Sequence, residues 1–165
     1  MLAIGNARAQ NTAEMSCSPH TAHGERFTRD YLRHRTPISS GDQRGAQYEA
    51  GLAEAICKIQ LSKDLIGVTE AEMANVVIAY EPVWAIGTGL TCDASIAQSI
   101  HEGLRVTLTG LYNEKVAQAT RIQYGGSVTP DTVDELMGKP DIDGCLVGGA
   151  SLSAEKFGPI INFKA

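Results

Sequence analysis

The chain has 165 residues, 43% of them hydrophobic and 20% charged, which is enough for one domain with a buried core. A formal net charge of −5 disfavours non-specific binding to nucleic acid, and no run is long and apolar enough to span a bilayer. Cys17, Cys57, Cys92 and Cys145 form no C-x-x-C pair and read as reduced thiols of an intracellular protein.

Residues 1–45 differ in character from the rest. They hold six Arg, no Lys and four acidic residues, whereas residues 46–165 hold two Arg, six Lys and fifteen acidic residues. No helical or alternating apolar period runs through the first segment, so disorder is the expected state. Its excess of Arg over acid suits a transit peptide, but its four acids and missing amphipathic face do not. A solvated interaction tail is a second reading. Translation from the wrong frame or a misjoined exon is the favoured third, since either yields Arg, Ser, His and Pro without a folding pattern. Cys17, His20 and His23 have metal-ligand spacing, but no second half-site follows, so no metal is expected.

Regular structure is expected from residue 46. Leu52, Ala55, Ile56 and Ile59 recur at helical spacing within 48–61 and form its expected apolar face. Thr69 and Glu72 have capping-box spacing before a short helical turn. Val76–Tyr80 is a short β-branched run of the kind that makes a buried strand, and Pro82 stops it just after Glu81. Asp93 can cap a helix that buries Ile96, Ala97, Ile100 and Leu104, with His101 on its surface. Arg121–Tyr124 reads as a strand ending at Gly125-Gly126, and Thr129 with Pro130 as a helix start. Asp143–Val147 reads as a strand ending at Gly148-Gly149, and Ser153 as the cap of a last helix through Ile161. Strand and helix thus alternate three times, which argues for a parallel sheet with helical crossovers.

Each of these strands ends in a glycine-containing loop. A Glu at the mouth of a buried strand suits a general base, and a loop directly behind it can close over a substrate and exclude water. Exposed backbone N–H groups at glycines can cradle a phosphate, and Ser127 adds a hydroxyl donor. A single Gly pair is more often just a tight strand-to-helix turn, but three of them after three strands favour phosphate. G-x-x-x-x-G-K-[ST] and G-x-G-x-x-G are both absent, which disfavours nucleotide folds, and Ser127 lacks a nucleophile elbow. Trp84 alone would be read as core packing, as would Cys92 and Cys145.

Tyr80-Glu81-Pro82-Val83-Trp84-Ala85-Ile86-Gly87-Thr88-Gly89, Tyr124-Gly125-Gly126-Ser127, Leu146-Val147-Gly148-Gly149-Ala150-Ser151 and Tyr48-Glu49-Ala50-Gly51 together resemble the triosephosphate isomerase family over about residues 46–165. The resemblance implies an α/β chain of the (β/α)8 barrel family, present as an incomplete barrel: the last three β/α units plus a preceding helix. It implies interconversion of dihydroxyacetone phosphate and D-glyceraldehyde 3-phosphate through an enediol(ate), in glycolysis and gluconeogenesis, without a cofactor or metal. Glu81 would be the base. Gly87, Ser127, Gly148 and Gly149 would hold the substrate phosphate. Pro82, Val83, Trp84, Ala85, Ile86, Thr88 and Gly89 would form the lid, with Trp84 at its first hinge and Tyr124 as its latch. Leu90 stands at the closing hinge, where the family often has Lys.

The family is usually homodimeric and cytoplasmic, with the plastid as the alternative compartment. Its partner is a small phosphorylated triose, not nucleic acid or a membrane. The family's early Asn-x-Lys and its Gly-His-Ser-Glu-Arg-Arg-like loop are absent. His23-Gly24-Glu25-Arg26 echoes the second in letters but lies too close to Tyr48, so no electrophile role is carried onto it. The chain alone is therefore expected to have little or no isomerase activity. The alternative is a non-catalytic barrel fragment that binds phosphate or a partner chain.

Overall fold

A computed structural model of the chain describes residues 2–5, 31–35, 51–85 and 92–164. Its centre is a five-stranded sheet of β1 (Leu2–Gly5), β2 (Tyr31–Arg35), β3 (Val77–Glu81), β4 (Arg121–Tyr124) and β5 (Gly144–Val147), in the order β1-β5-β4-β3-β2. The strands β2 to β5 run parallel, and β1 lies antiparallel on the outer edge of β5. Five helices are described: α1 (Ala53–Asp64), α2 (Ala94–Leu111), α3 (Glu114–Ala119), α4 (Val133–Met137) and α5 (Ala154–Ile161).

Parallel neighbours need long crossovers, and here α2 with α3 joins β3 to β4, while α4 joins β4 to β5. Side chains alternate across a strand. Ile78, Tyr80, Ile122, Tyr124, Cys145 and Val147 form one core with Cys57 and Leu61 of α1, Leu104 and Leu108 of α2, Leu136 of α4 and Ile160 of α5. The intervening positions, Val77, Ala79, Glu81, Gln123 and Leu146, point to the opposite face and are also buried.

Strands within residues 1–45 depart from the expectation of disorder. β2 carries Arg33, His34 and Arg35 in place of an apolar run, and β1 stands in a segment without a helical period to mark it as part of a β/α unit. The Thr69–Glu72 capping box forms, with the Thr69 N–H donating to Glu72 Oε2 at 2.9 Å and the Glu72 N–H to Thr69 Oγ1 at 3.4 Å. Asp93 caps α2 by accepting from the Ser95 N–H at 2.7 Å, and the Ser95 hydroxyl first, then this N–H, hold the Asp93 carboxyl below its ordinary pKa. Arg121–Tyr124 is the strand expected.

Other expectations need correction. The buried face of α1 is Cys57 and Leu61, continued by Leu65, while Leu52 and Ile59 are exposed. The choice between two interleaved apolar rows is made by the helix's neighbours, which the sequence does not print. α4 begins at Val133 instead of Pro130, because residues 129–132 form a separate turn closed by the Thr132 N–H on the Thr129 carbonyl. Ser153 precedes α5 but caps it with its carbonyl and not its side chain. α3, capped by Asn113 Oδ1 accepting from the Val116 N–H at 2.9 Å, has no counterpart in the sequence reading.

His101 is fully buried, not on the surface. Its ring meets Tyr80 edge-on at 5.7 Å, and Nδ1 lies 3.2 Å from the Asp141 carbonyl, which fixes the proton on that nitrogen when the ring is neutral. Burial, aided by the nearby Arg105 charge, pushes its pKa down to about 4, against the opposing pull of that carbonyl and the Asp141 charge.

Arg105, one turn further along α2, anchors the strand starts. Its Nε donates to Asp141 Oδ1 and its Nη2 to Asp143 Oδ2, both at 2.7 Å, and Nη1 donates to the Ala117 carbonyl at 2.8 Å. Asp143 Oδ2 also accepts from the Ile122 N–H at 2.8 Å. One buried guanidinium therefore ties α2 and α3 to the entries of β4 and β5. A buried charge is tolerable only when paired in this way.

Candidate active site

The site grows from the C-terminal ends of β3, β4 and β5, which parallel pairing brings to one end of the sheet. Glu81 is the last residue of β3 and is 3% exposed. Pro82 follows, and the Ala85 N–H closes on the Pro82 carbonyl at 2.8 Å to make a single 3₁₀ turn over Val83–Ala85. The chain thus turns directly behind the carboxylate. Trp84 is half-buried and packs against the core beside this turn, and Pro82 and Ala85 are buried.

β4 delivers the next loop against the same carboxylate. The Gly125 N–H donates to the Tyr80 carbonyl at 2.8 Å, so β4 stays paired with β3 up to Glu81. A Cβ on Gly125 would lie 2.8 Å from Glu81 Cγ, so only glycine lets the loop pass this close. At Gly126 the space for a Cβ is filled by the Tyr124 hydroxyl end and by Pro82 Cγ. Tyr124 is fully buried, and desolvation holds its phenol in the neutral form by raising its pKa. Ser127 Oγ donates to the Ala85 carbonyl at 3.4 Å, which links the β4 loop to the turn after Glu81.

At the end of β5, Gly148 and Gly149 are exposed. Ser151 folds back, donating to the Gly148 carbonyl from Oγ at 2.6 Å and from its N–H at 3.0 Å. That bond closes the 3₁₀ turn Gly149–Leu152. The structure therefore brings Glu81, Pro82, Ala85, Tyr124 and Ser127 into one cluster, with Gly148 and Gly149 one strand away at the same end. Val83 belongs to the turn by its backbone. Ile86, Gly87, Thr88 and Gly89 lie outside the described residues, as do Leu90 and the triad Cys17, His20 and His23. Among the described residues no group of three His, Cys, Asp or Glu could hold a metal ion.

Gln123 escaped the sequence reading. It is buried on the face that Glu81 shares, paired in register with Ala79, and its Oε1 has no hydrogen-bond partner among the described residues. The strand period could have found it, since Gln123 precedes Gly125 by two. Cys92 and Cys145 are core groups as expected, and Cys57 joins them. Burial pushes the Cys57 and Cys92 thiols up to about 11 and the Cys145 thiol up to about 12. None of these is a thiolate nucleophile near neutral pH.

A parallel sheet with helical crossovers, and a carboxylate and glycine loops gathered at its strand C-termini, defines a segment of a (β/α) barrel enzyme fold. The sequence model of the triosephosphate isomerase family matches residues 28–164. The chain is 52% identical over 128 residues to a triosephosphate isomerase of Chloroflexus aurantiacus, covering 78% of this chain and 51% of that protein. Triosephosphate isomerases of a Roseiflexus species and of Streptococcus mutans match at 51% and 48% identity over the same share of the chain. This chain belongs to the triosephosphate isomerase family. It spans about half the length of the curated relatives it matches. The family match starts at residue 28, earlier than the motifs alone indicate, and takes in β2.

Proposed function

We propose that this chain carries the base and the phosphate loops of a triosephosphate isomerase site, and that alone it has little or no turnover. Glu81 takes a proton from the carbon beside the substrate carbonyl and returns it to the neighbouring carbon by way of an enediol(ate). Gly87, Ser127, Gly148 and Gly149 hold the phosphate through backbone N–H groups and one hydroxyl. Pro82 to Gly89 form the lid, hinged at Trp84 and latched by Tyr124. The reaction requires no cofactor and no metal. The observation that carries this reading is the seating of Glu81 against Gly125 at the end of the sheet that also bears Ser127, Gly148 and Gly149.

The expected weakness of the chain alone has an equally plain origin. No early Asn-x-Lys and no usable His-Ser-Glu-Arg-Arg loop occur in this sequence. A positioned acid or base contributes about 10²–10⁴-fold, and an oriented electrostatic group adds to that, so losing the cation and the neutral His removes most of the acceleration. The complete protein of this family would act on a triose phosphate in the cytoplasm as a homodimer. Among the described residues no helix is long and apolar enough to cross a membrane.

The half-length match also favours a second reading, a fragment that binds phosphate or a partner chain without chemistry. Mixing the purified chain with a polypeptide carrying the first half of the Chloroflexus aurantiacus relative separates the two. Turnover of D-glyceraldehyde 3-phosphate that is lost with Glu81→Gln supports the catalytic reading. Binding of inorganic phosphate with no turnover in the mixture supports the second.

A further inference from the structure

Every pairing among β2, β3, β4 and β5 is parallel, and among the described residues β1 alone runs the other way. It covers the whole outer edge of β5, with Leu2 opposite Val147, Ala3 opposite Leu146, Ile4 opposite Cys145 and Gly5 opposite Gly144. A parallel barrel closes only when each strand, β5 included, receives a parallel neighbour on both sides. One strand edge presents a single row of outward N–H and C=O groups, so it can serve one neighbour at a time. The observed arrangement and a closed barrel therefore exclude each other at β5.

We propose that β1 is a displaceable guard on the β5 edge, and that this edge is the docking surface for a parallel strand from the first half of a family barrel. Three observations support that occupant. The chain spans about half the length of its relatives. Four of its strands already run in the parallel sense that such a barrel needs. Among the described residues the guard is four long and pairs with β5 alone, so few described ladder bonds oppose its release. While in place, β1 also shields an edge that would otherwise template aggregation. Leu2 stands opposite the last residue before Gly148, so displacement would also uncover the backbone beside the Gly148-Gly149 loop. The inference rests on family membership and strand pairing and does not require turnover.

The test uses two single prolines in the full chain, Ala3→Pro and Ile4→Pro. Successive N–H groups of an edge strand alternate between the neighbour and the outside, so one proline deletes a ladder donor and the other faces outward and is tolerated. Hydrogen exchange is then followed at residues 144–147, with residues 77–81 and 121–124 as internal controls.

The expected result is at least tenfold faster exchange at β5 in one variant only, with β3 and β4 unchanged. That same variant should bind the polypeptide carrying the first half of the Chloroflexus aurantiacus relative at least tenfold more tightly than the unmodified chain does. Three results would overturn the proposal: unchanged β5 exchange in both variants, a freed edge with no gain in binding, or loss of protection throughout the sheet.

Discussion

His101 is neutral because it is buried, and that burial makes the fold sensitive to acid. Its pKa is about 4 in the folded chain against about 6.5 when unfolded, so between these values the unfolded state binds the extra proton. Stability from this group is complete above pH 6.5 and falls as pH drops toward 4. The loss reaches about 3 kcal/mol at about 1.4 kcal/mol per pKa unit. The urea midpoint should therefore fall between pH 7 and pH 4.5, and His101→Phe should flatten that fall. Gly125 makes a second residue-scale case. Gly125→Ala should destabilise the chain by about 1–3 kcal/mol, because the new methyl meets Glu81 Cγ at 2.8 Å. Thermal or urea unfolding reads this directly.

His101 shows the limit of a linear reading. The places of Glu81, Ser127, Gly148 and Gly149 at or just after strand ends are legible because the apolar runs before them stop at Pro82 and at glycine pairs. His101 looks like any polar residue on a helix until Tyr80 and Asp141, distant in sequence, close around it.

Among the elements, Arg105 carries the largest expected single effect. Arg105→Met would leave Asp141 and Asp143 without their cation, in a site where the Asp143 side chain is 8% exposed. Breaking a buried ion pair from one side costs about 3–5 kcal/mol, so the variant should unfold at clearly lower urea. The two apolar rows of α1 supply a paired test. Leu61→Ala should cost about 2–5 kcal/mol, while Ile59→Lys should stay within about 0.5 kcal/mol of the parent, because Leu61 is fully buried and Ile59 is 56% exposed. Equal effects in unfolding experiments would contradict the observed rotation of α1.

Strands β3, β4 and β5 and helix α2 were readable because their apolar periods coincide with local stop and cap signals. β1 and β2 were not, since Tyr31–Arg35 holds three basic or imidazole side chains in place of an apolar run and Leu2–Gly5 stands in a segment without a helical period, and the antiparallel direction of β1 is a tertiary property. α3 was missed for a related reason: six residues behind an Asn cap hold too little pattern to stand out from the end of α2. The start of α4 shifted because Thr129-Pro130 is equally good at opening a turn, and the Thr132 contacts select the turn.

The whole molecule joins a recognisable half of a site to a sheet whose outer edge is already occupied. The proposed base and the glycine loops proposed to hold phosphate sit at the ends of β3, β4 and β5, whose entries Arg105 and its two aspartates tie together. On the proposed function, the early Asn-x-Lys and the His-Ser-Glu-Arg-Arg loop that would polarise the substrate carbonyl do not occur in this sequence. The most direct test is the rate at which the purified, monodisperse chain alone interconverts D-glyceraldehyde 3-phosphate and dihydroxyacetone phosphate, compared with its Glu81→Gln variant. The account predicts the same near-background rate for both. Robust turnover by the chain alone, abolished by Glu81→Gln, would contradict it.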